Sequence, residues 1–435
     1  MSRLEYLKSL LENDSRYKLT IFTIILLTGL ILWYFRILML FGLFTNPHGP
    51  NIWFGDFKDY YNAAKLYMNG ENIYGNTGFY YPPLALLLFL PLACLSFEQA
   101  CLIMAISNIS LLILTTLLIS KILQHYNIPL SKTKLLLVFV AIFLFYPVST
   151  SLTAGQINIL ILFLITLFYY YLFVKGEKTV ASVILSIATM IKVWPFILIF
   201  LDFITPKAKG ILVRSCVSLG MLTLISLAVF GIPLHVEFLN TLFAFQSISL
   251  RMPEEVLHPS DALDTNASLS NMLFKLLPLF GVSNLYAIII LYGLKIVLIL
   301  PMLYYLYYLC FSKTDEIKEI YGFTSLIILI LILMIANITW IYYGSFLVLS
   351  IVLLMFVIKL NIIEKGLLLF SIAFFSIQQY VITISNMIGG VVKSAVYIAS
   401  PTTYAYFLFF LLIIYMLRRQ KTSGEEVECL QGTKL

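Results

Sequence analysis

The sequence predicts an all-α, polytopic integral membrane protein, and three observations carry that prediction. Of its 435 residues, 61% are hydrophobic and 11% charged, more apolar surface than a soluble domain of this length can hide. Apolar runs of roughly 17–25 residues recur along the whole chain, each long enough to cross a hydrocarbon core of about 30 Å. The basic residues are also sorted. With the N-terminus in the cytoplasm, twenty of the 28 Lys and Arg residues fall on the inner side of the runs and five on the outer side, the asymmetry that orients membrane proteins. Lipid offers no hydrogen-bond partner to the backbone, so the runs must be helices.

Residues 1–18, MSRLEYLKSLLENDSRYK, read as a cytoplasmic amphipathic segment. The first apolar run begins at Leu19 with no small-residue cleavage site behind it, which predicts a retained span over 19–44 and no signal peptide. A polar segment, 45–83, follows on the outer side. Residues 84–95 are too short to cross alone and read as a re-entrant or interfacial helix, opened by Pro82 and Pro83 and bent near Pro91. Further spans are expected at 97–120, 134–148, 155–174, 179–191, 194–205 and 210–231. A second outer segment, 232–282, separates these from spans at 283–311, 320–338, 343–359, 366–388 and 401–417. Twelve spans thus make one transmembrane domain, 19–417, followed by a cytoplasmic tail, 418–435. Two of the twelve, 179–191 and 194–205, are so short that they read as a hairpin lining a cavity.

Several functions are excluded by the same reading. The net charge of +7 is an orientation signal and a contact for anionic lipid; its distribution gives no nucleic-acid surface. The five cysteines show no paired spacing and read as free thiols. His48, His125, His235 and His258 show no ligand spacing, so neither a metal nor a tightly bound cofactor is expected. No repeat, P-loop or nucleotide-sugar motif is present.

The stretch GDFKDYYNAAKLYMNG, residues 55–70, interrupts the oily pattern. From Phe57 to Met68 the apolar residues fall at 57, 60, 61, 64, 67 and 68, the spacing of an amphipathic helix, and Gly70 is a natural stop. Asp56 sits where an N-cap belongs, and Asp59 where a carboxylate favours the helix dipole. Projected on the helix, however, Asp56 lines up with Tyr60, Ala63 and Tyr67 and faces the protein. A carboxylate aimed inward at a membrane boundary needs a cation, a donor or a substrate to answer it. Asp56 is therefore the first catalytic candidate and Asp59 the second.

Gly55-Asp56-Phe57, Tyr60-Tyr61, Ala63-Ala64, Gly70, Tyr74, Tyr81-Pro82-Pro83-Leu84 and Pro91-Leu92 together resemble glycosyltransferase family 87, integral-membrane enzymes of the GT-C class. Further matches follow in order: Gly155-Gln156-Ile157-Asn158, Ile191-Lys192 with Pro195, Asn266-Ala267-Ser268-Leu269, and Asn337-Ile338-Thr339-Trp340. The resemblance implies a GT-C-like fold with interfacial helices in the first outer loop. It also implies transfer of mannose, arabinofuranose or a related sugar from a polyprenyl-phosphate donor, outside the cytoplasmic membrane, to a glycolipid or glycan acceptor of the cell envelope. Asp56 would be the catalytic base. Where the family often carries a His two residues after the late Trp, this chain has Tyr342.

Such chemistry assigns roles to other residues. The leaving phosphate needs cations or helix N-termini. Lys192, at the tip of the short hairpin, is the leading candidate for it, followed by Arg251 and Lys275 in the second outer segment. Gln156 and Asn158 could bind sugar hydroxyls, as could Asn266, while Tyr60, Tyr81, Trp340 and Tyr342 could stack on a sugar ring or prenyl chain. Two rival readings remain at this level. One is a secondary transporter with Arg36, Lys192, Asp202 and Lys295 as coupling charges, disfavoured because no two halves resemble each other. The other is a lipid-linked oligosaccharide ligase.

Overall fold

The computed structural model describes residues 12–40, 54–248, 281, 284–310, 315–335, 341–388 and 401–423. Among these residues the chain is helical and forms no strand, only an isolated bridge between Tyr74 and Thr77. Among the described residues five stretches are long and apolar enough to cross a bilayer: Phe97–His125, Asn158–Lys175, Pro206–Phe243, Tyr292–Cys310 and Pro401–Arg419. Lys132–Leu144 and Tyr146–Ala154 make a sixth if the broken pair is counted as one span. The runs expected at 19–44, 320–338 and 366–388 are helical as Asp14–Leu40, Asp315–Ile335 and Ile362–Ile388.

Among the described residues length and composition alone give fewer than the expected twelve spans, and the hairpin shows one reason. Lys178–Ile191 has 14 residues, which at about 1.5 Å per residue covers roughly 21 Å, short of the hydrocarbon thickness. Its partner divides into a 3₁₀ stretch, Trp194–Phe200, and a single α-turn, Leu201–Ile204. Pro195 lies at the start of the 3₁₀ stretch, where its missing N–H costs little. Residues 84–95 form two short pieces, the 3₁₀ helix Pro83–Leu88 and the turn Leu90–Ala93, each with Pro at its first positions.

A second difference concerns 232–282. The chain is expected to leave its helix at Gly231, yet it stays helical to Ile248 after a kink. Gly231 takes φ 75°, ψ 166° and Pro233 follows, so the break redirects the helix without ending it. His235 bridges the kink, with Nδ1 2.7 Å from the Gly231 carbonyl and Nε2 2.9 Å from Ser226 Oγ. Residues 249–280 of that segment lie outside the described residues.

The chain divides into two compact units, one built from 1–36, 123–148 and 249–435, the other from 37–122 and 149–248. In the first, Ile362–Ile388 packs along Pro401–Ser423 around Phe375 and Phe409. In the second, Lys178–Ile191 packs between Asn158–Tyr169 and Ile211–Ile248. The second unit also buries an aromatic cluster of Phe57, Tyr60, Phe79 and Phe89, and the candidate site grows from it.

Candidate active site

The helix Gly55–Met68 buries Phe57, Tyr60, Ala63 and Ala64, the inward face that its periodicity predicts. It begins two residues earlier than expected: Phe54 precedes it in the left-handed region (φ 60°, ψ 28°), and Asp56 lies within the first turn instead of capping it. The Phe54 N–H donates to the Thr153 carbonyl at 2.8 Å, which ties the helix start to the end of Tyr146–Ala154. A non-glycine residue in this region is strained, and such strain persists only where surroundings hold it. Gly155 makes the close approach possible. Its own φ is 65°, and a Cβ there would lie 2.6 Å from Phe54 Cδ1 and 2.7 Å from Phe57 Cβ.

That approach delivers Gln156 to Asp56. The Gln156 Nε2 donates to Asp56 Oδ2, while its Oε1 accepts from Tyr60 Oη at 2.8 Å. Tyr81 Oη sits 2.8 Å from Tyr60 Oη and 3.5 Å from Gln156 Oε1. With both phenols on Oε1, the amide's donor end is fixed toward the carboxylate. Asn108 steadies the turn, donating from Nδ2 to the Gln156 carbonyl at 3.5 Å.

Two residues on, Asn158 is the first residue of the helix Asn158–Tyr169, and Lys192 Nζ donates to its Oδ1 at 2.6 Å. Lys192 lies in the break between Lys178–Ile191 and Trp194–Phe200, outside both, with extended backbone. Its side chain is only 6% exposed, and Nζ stands 5.3 Å from the Tyr81 ring centroid. Burial pulls its ammonium down to about 7, and the negative charge of Asp56 opposes that fall. Ammonium, helix N-terminus and amide therefore converge, a combination suited to an anion. Asn158 Nδ2 is buried with no hydrogen-bond partner among the described residues, a donor that a ligand would satisfy.

Asp59 is turned to another task. It is half-buried and accepts the Gly78 backbone N–H; burial raises its pKa, with that bond and Lys58 acting against the rise. The segment it holds is pinned further by Tyr74 Oη donating to the Tyr81 carbonyl at 2.7 Å and by the Phe79 N–H donating to Thr77 Oγ1 at 3.2 Å. Asp59 thus anchors the loop that presents Tyr81.

Of the residues singled out by sequence, Asp56, Tyr60, Tyr81, Gln156, Asn158 and Lys192 meet in this one network. Tyr342 belongs to the other unit, in the 3₁₀ stretch Ile341–Leu347, with its ring edge-on to Tyr343 at 5.3 Å. Arg251, Lys275, Asn266 and Trp340 lie outside the described residues. Phe54, Gly78 and Asn108 escaped the sequence reading. Asn108 did carry a signal, being a lone amide in an apolar run; Phe54 matters through backbone geometry, and Gly78 through its N–H and through the lack of a side chain, since a Cβ there would collide with the Asp59 carboxylate. Asp202, a coupling charge in the transporter reading, accepts the Leu212 N–H at 2.9 Å and lies 3.7 Å from Lys209 Nζ. It stabilises the start of the 211–248 helix. No group of three or more His, Cys, Asp or Glu side chains able to hold a metal occurs among the described residues.

These features define a helical membrane protein whose second unit gathers a carboxylate, an ammonium, amides and phenols at one place. The chain belongs to glycosyltransferase family 87, whose family model matches residues 79–336, more than half of its length. It is accordingly a membrane-embedded glycosyltransferase. The match takes in Tyr81, Gln156, Asn158 and Lys192 but begins downstream of Asp56, Asp59 and Tyr60. No curated protein and no solved structure matches the chain significantly.

Proposed function

We propose that the enzyme transfers a sugar, mannose or a related hexose or pentose, from a polyprenyl-phosphate donor to a glycolipid or glycan acceptor at the outer face of the cytoplasmic membrane. Asp56 is the general base. Its carboxylate takes the proton of the acceptor hydroxyl as that oxygen attacks the anomeric carbon. The bond from the anomeric carbon to the phosphate oxygen breaks, its electron pair leaves with the polyprenyl phosphate, and the proton stays on Asp56 until solvent takes it. Attack from the face opposite the phosphate inverts the anomeric centre, and a second, nucleophilic carboxylate is not required. Lys192 meets the charge developing on the leaving phosphate, helped by the N-terminus of Asn158–Tyr169 and by Asn158 Nδ2. Gln156, Tyr60 and Tyr81 hold the base and offer hydroxyl and amide contacts to the sugar. Asp59 fixes the loop.

The observation that carries this reading is the joining of Asp56 and Lys192 by one short network, Asp56–Gln156–Tyr60–Tyr81 with Lys192 over the Tyr81 ring. It supplies a base and a cation, the two charges that displacement from a lipid phosphate needs. A panel of polyprenyl-phosphate sugars given to the purified enzyme in lipid tests it. Asp56→Asn keeps the shape and the Gln156 contact, and turnover should fall about 10³-fold, within the usual 10²–10⁴ range for a lost general base. Full turnover by the Asn variant removes Asp56 from the mechanism.

A further inference from the structure

The first unit contains a cavity of about 950 Å³ formed by the 14–25 part of the first helix, residues 127–145, and residues 348–372. That volume is at the upper end of ligand-sized sites, roughly 300–1,000 Å³. Its buried apolar lining includes Ile21, Ile25, Ile142, Phe145, Val352 and Ile372. Its polar lining includes Asp14, Lys18 and Lys134, and Lys365, buried beside it, pairs with Asp14. Lys18 packs its ammonium 4.9 Å from the Phe356 ring centroid. Burial lowers the Lys18 pKa; Asp14 resists this, and Lys365 and Lys134 add to it. Lys18 therefore has Lys134, Lys365 and Asp14 as charged neighbours, and Lys365 already holds that carboxylate.

We propose that this cavity binds one anionic glycerophospholipid, its phosphate between Lys18 and Lys134 and an acyl chain in the apolar depth. The charge excess at the mouth selects a phosphodiester anion, and the greasy walls select a molecule with a chain attached. On the orientation set by the lysine and arginine count, the lipid comes from the inner leaflet. The site uses none of the residues assigned to sugar transfer, so it stands or falls independently of the catalytic reading.

The full-length protein in mild detergent, titrated with phosphatidylglycerol or phosphatidylcholine and read by native mass spectrometry, tests the proposal. One phosphatidylglycerol should be retained in preference to phosphatidylcholine. The double variant Lys18→Gln/Lys134→Gln should reduce that preference roughly tenfold, while Lys132→Gln, an exposed lysine outside the lining, should leave it unchanged. Ala141→Trp, which fills the apolar depth, should displace both lipids, and glycerol 3-phosphate should not compete. Equal retention of the two lipids, or a preference that survives the double variant, would overturn the proposal. Competition by glycerol 3-phosphate at the lipid's own concentration would instead mark a small-phosphate site and overturn it as well.

Discussion

Asp56 and Asp59 are three residues apart on one helix, yet the regions they face differ in kind. Asp56 looks into the interior of the second unit, where its partner, Gln156, comes from a hundred positions away in the chain and is itself held by two phenols. Asp59 looks along the loop that follows its helix and is closed by a local backbone donor at Gly78. A carboxylate answered by a backbone N–H in its own neighbourhood is an anchor. One answered by a side-chain network that ends on a buried ammonium is equipped for chemistry. Spacing alone does not separate them; what each meets in space does.

The comparison can be broken or sharpened in several ways. The largest effect after loss of Asp56 itself is expected at the cation joined to it. Lys192→Met should lower kcat about 10²-fold, the scale of losing one preorganised electrostatic contact to a transition state, and Lys192→Arg should recover part of it. Wild-type kinetics from Lys192→Met would leave Asp56 without its counterpart. Next comes Gly155→Ala. The added Cβ meets Phe54 and Phe57 and the backbone keeps φ 65°, so the variant should lose thermal stability and turnover together, by about 1–3 kcal/mol in the unfolding midpoint analysis.

The pH profile should carry a smaller signature. Burial pulls the Lys192 pKa down to about 7, and in the proposed mechanism only the charged form meets a leaving phosphate. The quantity kcat/KM, which reports the free enzyme, should therefore fall as pH rises through about 7. Bound donor phosphate favours the ammonium, so the same fall in kcat should occur at higher pH. Lys192→Arg, charged throughout this range, should flatten both limbs. A fall that persists unchanged in the Arg variant would assign the titration to another group. The smallest effect is expected at the anchor: Asp59→Asn can still accept from Gly78, and should change kcat less than tenfold, with any loss appearing in KM as the Tyr81 loop loosens.

Much of this was legible before any coordinates. Composition and hydropathy made the chain a helical membrane protein, because lipid leaves the backbone few alternatives. Helical projection turned Asp56 inward, Lys192 stood at the tip of two short apolar segments, and Gln156 and Asn158 came with the resemblance to the family. The span count was harder, because a 3₁₀ stretch after a proline and a kink at a glycine both look like ends in a sequence, yet Gly231 merely turned its helix. Asn108 was visible but unremarked. Phe54 carries no signal in residue type, since its contribution is a left-handed backbone, and Gly78 is one glycine among 21, whose close approach to Asp59 shows only in space. The separate duties of the two acids depended on Gly155, whose lack of a side chain lets distant segments touch.

Asp56→Asn and Asp59→Asn, purified in parallel, reconstituted in the same lipid and supplied with the same polyprenyl-phosphate sugar, put the central claim to its most direct trial in single-turnover rates. Asp56→Asn should be slowed about 10³-fold, with Asp59→Asn within tenfold of the unaltered enzyme. Equal losses, or the reverse order, would contradict the assignment of Asp56 as the base.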